Sequence, residues 1–375
     1  MTSRERVRKA LNHQQPDRIP VDNGGFVSGM HEVAYKKLLE YLEFEDEITL
    51  TDAVQRLAKV NDKVLDRLGV DTRYLHVNGP SGWEYREDAE GRWEDEWRVV
   101  RKRCGFYCDS VVHPLANASL EDIKEFTFPN PNDPARYEGL KQKAKTLYEN
   151  TEYALVGGTI MALYCPAWDL RGYEQFMYDT AAEPELANYL LDKIMDWNMA
   201  FYNNYLNEIG DYIELLWIGD DWGSQSGPLI NPVEFRKNVV PRFKKLIDFI
   251  HSKTKAKVAY HSCGSVYWAM QDFIDMGVDI LQPLQPNAFD MDDSERIKRN
   301  FGDKLSFHGG TDNQGLFHGE KQLIIEDVKK RIRYFAPGGG YIFSSGHNIQ
   351  ANCPPENILA IFDTARQYGS YPIQL

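Results

Sequence analysis

The chain is short of several things that would place it quickly. Only five of its 375 residues are cysteine: Cys104, Cys108, Cys165, Cys263 and Cys353. They are too few and too irregularly spaced for a disulfide framework, and read as free thiols in a reducing compartment. No apolar run is long enough to cross a bilayer. The best of them, Tyr153 to Trp168, is interrupted by Gly157, Gly158 and Pro166. Basic residues are outnumbered, 43 Lys and Arg against 56 Asp and Glu, for a net charge of −13. That balance argues against a nucleic-acid backbone or an anionic membrane surface as the main partner. Met1 to Arg8 is charged rather than signal-like, so the expected location is the cytoplasm. There is no Gly-x-Gly-x-x-Gly after the first strand-like run, no repeat of fixed period and no low-complexity tract.

What is present is a regular alternation. Hydrophobic residues make up 42% of the chain and aromatics 13%, enough for a substantial core. Eight short apolar runs recur, most of them ending in Gly, Asp or Asn: Ile19 to Asn23, Thr72 to Val77, Tyr153 to Thr159, Ile213 to Asp220, Lys257 to Gly264, Val278 to Pro283, Leu305 to Asp312 and Gly340 to Gly346. Helical patterns lie between most of them, such as Val33 to Phe44, Pro184 to Glu208, Pro232 to Ser252, Val266 to Met276 and Ile324 to Phe335. Eight strand–helix units predict an α/β chain folded as a (β/α)8 barrel over residues 1–375, with a doubly wound open sheet as the alternative. A helix capped by Ser3 and running to His13 comes first. Trp83 to Val112 breaks the alternation and reads as a small β-meander inserted after strand 2, with Asp88 to Gly91 as a hairpin turn. On a barrel such an insertion lies on the catalytic face and is expected to wall the site.

The chemistry-bearing residues fall at the ends of these runs. In Tyr260-His261-Ser262-Cys263-Gly264, residues two apart share a strand face, so His261 and Cys263 point the same way. Imidazole and thiolate are ligands that zinc favours. The competing reading is a core histidine beside a buried thiol. A third ligand must come from another strand end. His347, in Gly346-His347-Asn348, is one candidate, and Cys353 is the alternative. Three protein ligands leave one open position, as a catalytic zinc requires. Asp220 and Asp221 close the fourth run and are candidates for proton transfer or for orienting a ligand, against helix capping as the plainer role. Trp222 and Gln225 are expected to line the pocket. His308, Asp312 and Gln314 form a second strand-end set able to hydrogen-bond a substrate, with Asp22 and Asn23 a weaker pair of the same kind. Cys104 and Cys108 have no second cysteine pair near them, so no zinc knuckle is expected there.

Taken together, these residues resemble the uroporphyrinogen decarboxylase-like superfamily from end to end. The resemblance is carried by Arg4 to Leu11 with Pro16-Asp17-Arg18-Ile19-Pro20, by Gly219-Asp220-Asp221-Trp222-Gly223-Ser224-Gln225 and by His261-Ser262-Cys263-Gly264. It continues through Phe307 to Asp312, Gly338 to Ile342, Gly346-His347-Asn348 and Pro354 to Ile358. It implies a (β/α)8 barrel and one of two chemistries. The first is metal-free decarboxylation of uroporphyrinogen. The second is methyl transfer to or from a corrinoid protein, with zinc at a His-x-Cys motif and a later ligand. The decarboxylase branch carries arginines just after the first strand for the substrate's carboxylates, and here no Arg lies between Arg18 and Arg56. The thiol-methylating members place a cysteine where His347 stands. Imidazole there makes the zinc a stronger Lewis acid and a poorer thiolate activator.

The resemblance therefore implies a zinc-dependent O-demethylase component. It would move methyl from a methoxylated aromatic compound, its small-molecule methyl donor, to cob(I)alamin on a separate corrinoid protein. This chain has no corrinoid-binding Asp-x-His-x-x-Gly motif of its own. Methyl transfer from methylcobamide to a thiol or to tetrahydrofolate is the alternative, as is a decarboxylase-type lyase. A homodimer remains open.

Overall fold

The computed structural model describes residues 1–159, 162–315 and 317–375. Seven parallel strands form its central sheet: β1 Thr72–Tyr74, β2 Ala154–Gly158, β3 Leu215–Gly219, β4 Lys257–His261, β5 Ile280–Gln282, β6 Ser306–His308 and β7 Tyr341–Ile342. Each pairs with its neighbours in sequence, giving the order β7-β6-β5-β4-β3-β2-β1. The curl of such a sheet, with helices between successive strands, is that of a TIM-barrel-like α/β fold.

The first expected strand, Ile19 to Asn23, is a single parallel bridge between Val21 and Phe343. It still joins the two edges. The Asp22 amide donates to Phe343 and the Asp71 amide donates to the Val21 carbonyl, each at 2.8 Å. The ladder stays short for two local reasons. Pro20 has no N–H to give, and the Val21 amide is taken by the Asp71 carboxylate at 2.8 Å.

Alternation along the strands separates two cores. Ala154, Val156, Leu215, Trp217, Ala259, Ile280 and Ile342 point into the barrel. Leu155, Leu216, Ile218, Val258, Tyr260, Leu281 and Phe307 point outward, against the helices. Val7 and Leu11 of the helix Ser3–Leu11 pack into the inner cluster and so close the amino-terminal end of the barrel. That helix is capped by Thr2, not Ser3, through a capping box with Glu5.

The expected helix Pro232 to Ser252 is in three parts: a turn at Pro232–Glu234, a π-helical turn at Phe235–Val239 and an α-helix at Val240–Lys253. Pro241 has no amide to continue the α pattern, and the Val240 amide reaches five residues back to Phe235 instead.

The meander after β1 is a three-stranded antiparallel sheet, Arg92–Glu94, Val100–Cys104 and Tyr107–Val112. Trp83 to Arg86 adds no strand to it. Tyr85 and Trp83 pack their rings against Trp93 instead. The meander does stand over the carboxyl ends of the strands. Its Glu96 and Trp97 share a cavity of about 180 Å³ with Phe26, Val77 and Gly158.

Candidate metal centre

Two strands and one loop converge at the carboxyl end of the barrel. Alternation along β4 turns Ala259 and then His261 inward, and Cys263 follows on the same side. His347 arrives from the loop after β7. One ligand atom from each of His261, Cys263 and His347 lies within 4.8 Å of the other two. His261 is fully buried, whereas Cys263 and His347 are half-buried and open toward the mouth. The His261 Nε2 is 3.4 Å from the Cys263 Sγ, and the two histidine rings meet edge to face at 5.7 Å.

The neighbours fix how these ligands present themselves. The His261 Nδ1 hydrogen-bonds the Gln282 Oε1, which leaves Nε2 as the free nitrogen. The same amide group donates to the Val27 and Gly346 carbonyls at 3.2 and 3.4 Å. Asp221 accepts the Cys263 amide at 2.8 Å and lies 3.4 Å from the His261 Nε2. His347 follows Gly346, whose amide donates to the Thr311 hydroxyl at 2.8 Å. A Cβ on Gly346 would lie 2.0 Å from the Thr311 carbonyl oxygen, so only glycine lets the two loops approach.

Charge follows the same layout. Burial opposes ionisation of Asp221, but His261 and the Cys263 amide hold its carboxyl below the usual range. Burial pushes the Cys263 thiol up. It also takes His347 down to about 4, with the facing His261 adding to the effect. Cys263 and Asp221 draw the His261 imidazole up against burial; two imidazoles and a thiol that give up their protons to a metal are a donor set suited to zinc. The residues present therefore fit that ion.

Cys353 stands apart from this cluster. It is buried, and its Sγ donates to the Phe317 carbonyl at 3.3 Å. The two aspartates are also separated. Asp220 is fully buried, and its carboxylate accepts the amides of Leu163, Tyr164 and Cys165 at 2.6, 2.8 and 3.1 Å. It thereby fastens the start of the helix Tyr164–Arg171 to the end of β3. Burial pushes this carboxyl up to about 7 against those amides, which favour its charged form.

The substrate-binding candidates divide three ways. Asp22 and His308 meet at 2.9 Å inside the barrel, with Asn23 beside them. Gln225 and Gln314 are exposed and share a hydrogen bond at the rim. Asn287 links Gln314 to Asp312 there. Trp222 is a correction: it does not line the pocket. It is fully buried among Tyr164, Phe235 and Phe243, and its indole N–H donates to the Tyr260 hydroxyl at 2.7 Å.

Reading the sequence missed Gln282 and the hydroxyls around Asp22. That carboxylate accepts from Ser28 at 2.7 Å, from Tyr74 at 2.9 Å and from Thr72. The signal for Gln282 was available, since it is a lone amide two residues after Ile280 on the same face of an apolar run.

A barrel with a metal-suited triad on its catalytic face defines the class, and comparison with known proteins gives the family. Residues 109–368 match the model described as uroporphyrinogen decarboxylase (URO-D). The chain belongs to that family. It is 22% identical over 265 residues to a uroporphyrinogen decarboxylase of Pseudoalteromonas atlantica, covering 67% of this chain and 69% of that one. With the enzyme of that name in Geobacter metallireducens the figures are 24% over 269 residues, 68% and 73%. Among solved structures, a methyltransferase from Methanosarcina mazei superposes with a TM-score of 0.67 at 17% identity, over 98% of this chain and 99% of that one. This last likeness establishes the fold. Among the described residues, no helix is long and apolar enough to cross a membrane.

Proposed function

We propose that this chain is a zinc- and corrinoid-dependent methyltransferase that demethylates a methoxylated aromatic compound. The observation that carries the reading is the convergence of His261, Cys263 and His347 within 4.8 Å, in a chain with no arginine from residue 19 to residue 55. The triad answers the needs of a metal-assisted reaction. The missing arginines leave a polycarboxylate tetrapyrrole without its charge-assisted partners. When bound, zinc would supply Lewis-acid stabilisation of the oxygen that leaves the methyl group.

The chain's own residues do the rest. Gln282 keeps the His261 Nε2 free for the metal, and Asp221 holds the backbone of Cys263 in place. Asp221 also lies 3.4 Å from the His261 Nε2 and stays ionised there, so its part is to orient the ligands. Asp220 has both oxygens engaged by amides and serves as an anchor. The methyl acceptor, a reduced corrinoid, would be carried by a partner protein docking over the barrel mouth, because this chain has no motif for holding one.

Decarboxylation of uroporphyrinogen is the rival that the names of the curated relatives suggest. Two measurements separate the readings. Elemental analysis of purified protein should find about one zinc per chain, and methoxylated aromatics with cob(I)alamin should yield methylcobalamin. A metal-free protein that releases carbon dioxide from uroporphyrinogen would overturn the proposal.

A further inference from the structure

Buried polar side chains normally find partners within the protein. Among the described residues, seven buried side-chain nitrogen or oxygen atoms have none, and five of the seven fall in one place. They are the Asn23 Oδ1, His76 Nδ1, His308 Nδ1, Ser344 Oγ and Ser345 Oγ. Each lies just past or at the carboxyl end of a barrel position: the Val21 bridge, β1, β6 and β7. These four positions are neighbours around the barrel. The deficit therefore occupies one continuous arc of the catalytic face. It begins two strands from His261, ~10 Å away at the spacing of adjacent strands, and runs past the loop that carries His347.

The arc holds fixed acceptors, two serine hydroxyls that can donate or accept, and a buried carboxylate, but no Lys or Arg. Asp22 draws in the local donors, taking Ser28, Thr72, Tyr74 and the His308 Nε2. His308 spends its Nε2 on Asp22 and leaves its Nδ1 without a partner in the protein. The Asn23 amide nitrogen donates to the Ser28 carbonyl at 2.6 Å, so its free Oδ1 is an acceptor. His76 is kept neutral by burial, which takes it down to about 4. No Lys or Arg occurs within residues 19–31, 74–83, 306–317 or 341–353.

We propose that this arc is the part of the substrate site that selects a methyl donor bearing a hydroxyl or N–H group and no carboxylate. A carboxylate would meet at most the serine hydroxyls, with no Lys or Arg to balance it and the buried Asp22 carboxylate nearby. A fully methylated ether would leave the acceptors unpaired, which a site built for a donor penalises. The inference rests on the demethylase reading for the ring and on the arc for the selection.

The test is calorimetric binding to zinc-supplemented protein, without any methyl acceptor. The probes are 2-methoxyphenol, 1,2-dimethoxybenzene and 4-hydroxy-3-methoxybenzoate. The first should bind roughly 10- to 100-fold tighter than the other two. Ser344→Ala and Ser345→Ala should weaken 2-methoxyphenol roughly 3- to 10-fold and leave the dimethoxy compound unchanged. Their melting temperatures should stay level or rise, because each removes a polar atom that lacks a protein partner. His308→Phe should erase the preference.

Equal binding of the three probes, tightest binding of the benzoate or no binding of any would overturn the proposal. So would serine variants that melt lower with an unchanged order of affinity, or a crystal complex in which only water meets the His308 Nδ1. A preserved preference without methyl transfer would sink the demethylase reading alone. Demethylation without preference would sink the arc alone.

Discussion

Gln282 and His261 occupy paired positions on β5 and β4, and the amide oxygen of one accepts the ring Nδ1–H of the other. This bond sets the tautomer of a metal-ligand candidate, and the same side chain reaches the carbonyl of Gly346 beside His347. One amide thus steadies two of the three candidate ligands. Gln282→Leu should lower zinc affinity by about 10- to 100-fold while the barrel stays folded. Competition with a chelator measures the affinity, and circular dichroism checks the fold. Unchanged affinity would show that the tautomer is held by other means.

The third ligand is decided by a contrast between two substitutions. His347→Ala should lose bound zinc. Cys353→Ala should keep it, because that thiol is bonded to the Phe317 carbonyl and lies outside the triad. The cost of Cys353→Ala should be confined to stability, about 1–2 kcal/mol for a lost buried contact and hydrogen bond. Zinc retained in the first variant and lost in the second would exchange the two assignments.

The barrel was legible because its signal is collective. Eight apolar runs at regular spacing survive errors at any one of them, and the loss of a regular strand at Ile19 to Asn23 did not alter the architecture. His261 and Cys263 were legible through strand alternation, which is a local rule. Trp222 was misplaced for the complementary reason: it follows two aspartates at a strand end, and sequence does not tell whether the chain turns inward or outward there. The chain turns outward, where Tyr260 holds the indole N–H. The roles of Asp220 and Asp221 separate only in three dimensions, since amides from a loop more than fifty residues away claim one carboxylate and the Cys263 amide claims the other. The unpaired atoms around His308 were out of reach as well, because a missing partner is a property of the packed interior.

Gly346 offers a test of how the His347 loop is held. A methyl group there meets the Thr311 carbonyl oxygen at 2.0 Å, and backbone rather than a flexible side chain must yield. Gly346→Ala should destabilise the protein by about 1–3 kcal/mol and also lower its zinc content, since His347 is carried by the displaced loop. Thermal denaturation and metal analysis of the same sample report the two effects. Lower stability with full zinc content would mean that the loop relaxes without moving the imidazole.

His76 gives a pH signature. Burial, with Lys143 and Lys59 adding to it, takes this imidazole from 6.5 down to about 4. As pH falls through 6.5 the unfolded chain takes up the proton first, and the folded chain follows only near 4. The unfolded state binds more protons across that window, so stability falls as the solution is acidified from about 6.5 to about 4. A gap of this size corresponds to about 3 kcal/mol at most. His76→Phe should remove that part of the acid sensitivity, which urea denaturation of both proteins at pH 7 and pH 4.5 will show as a smaller difference in the variant. Identical pH dependence in the two proteins would mean that His76 is solvated in the folded chain. The ring group in which His76 stacks on Tyr74 and meets Phe26 edge to face would then leave that imidazole open to water.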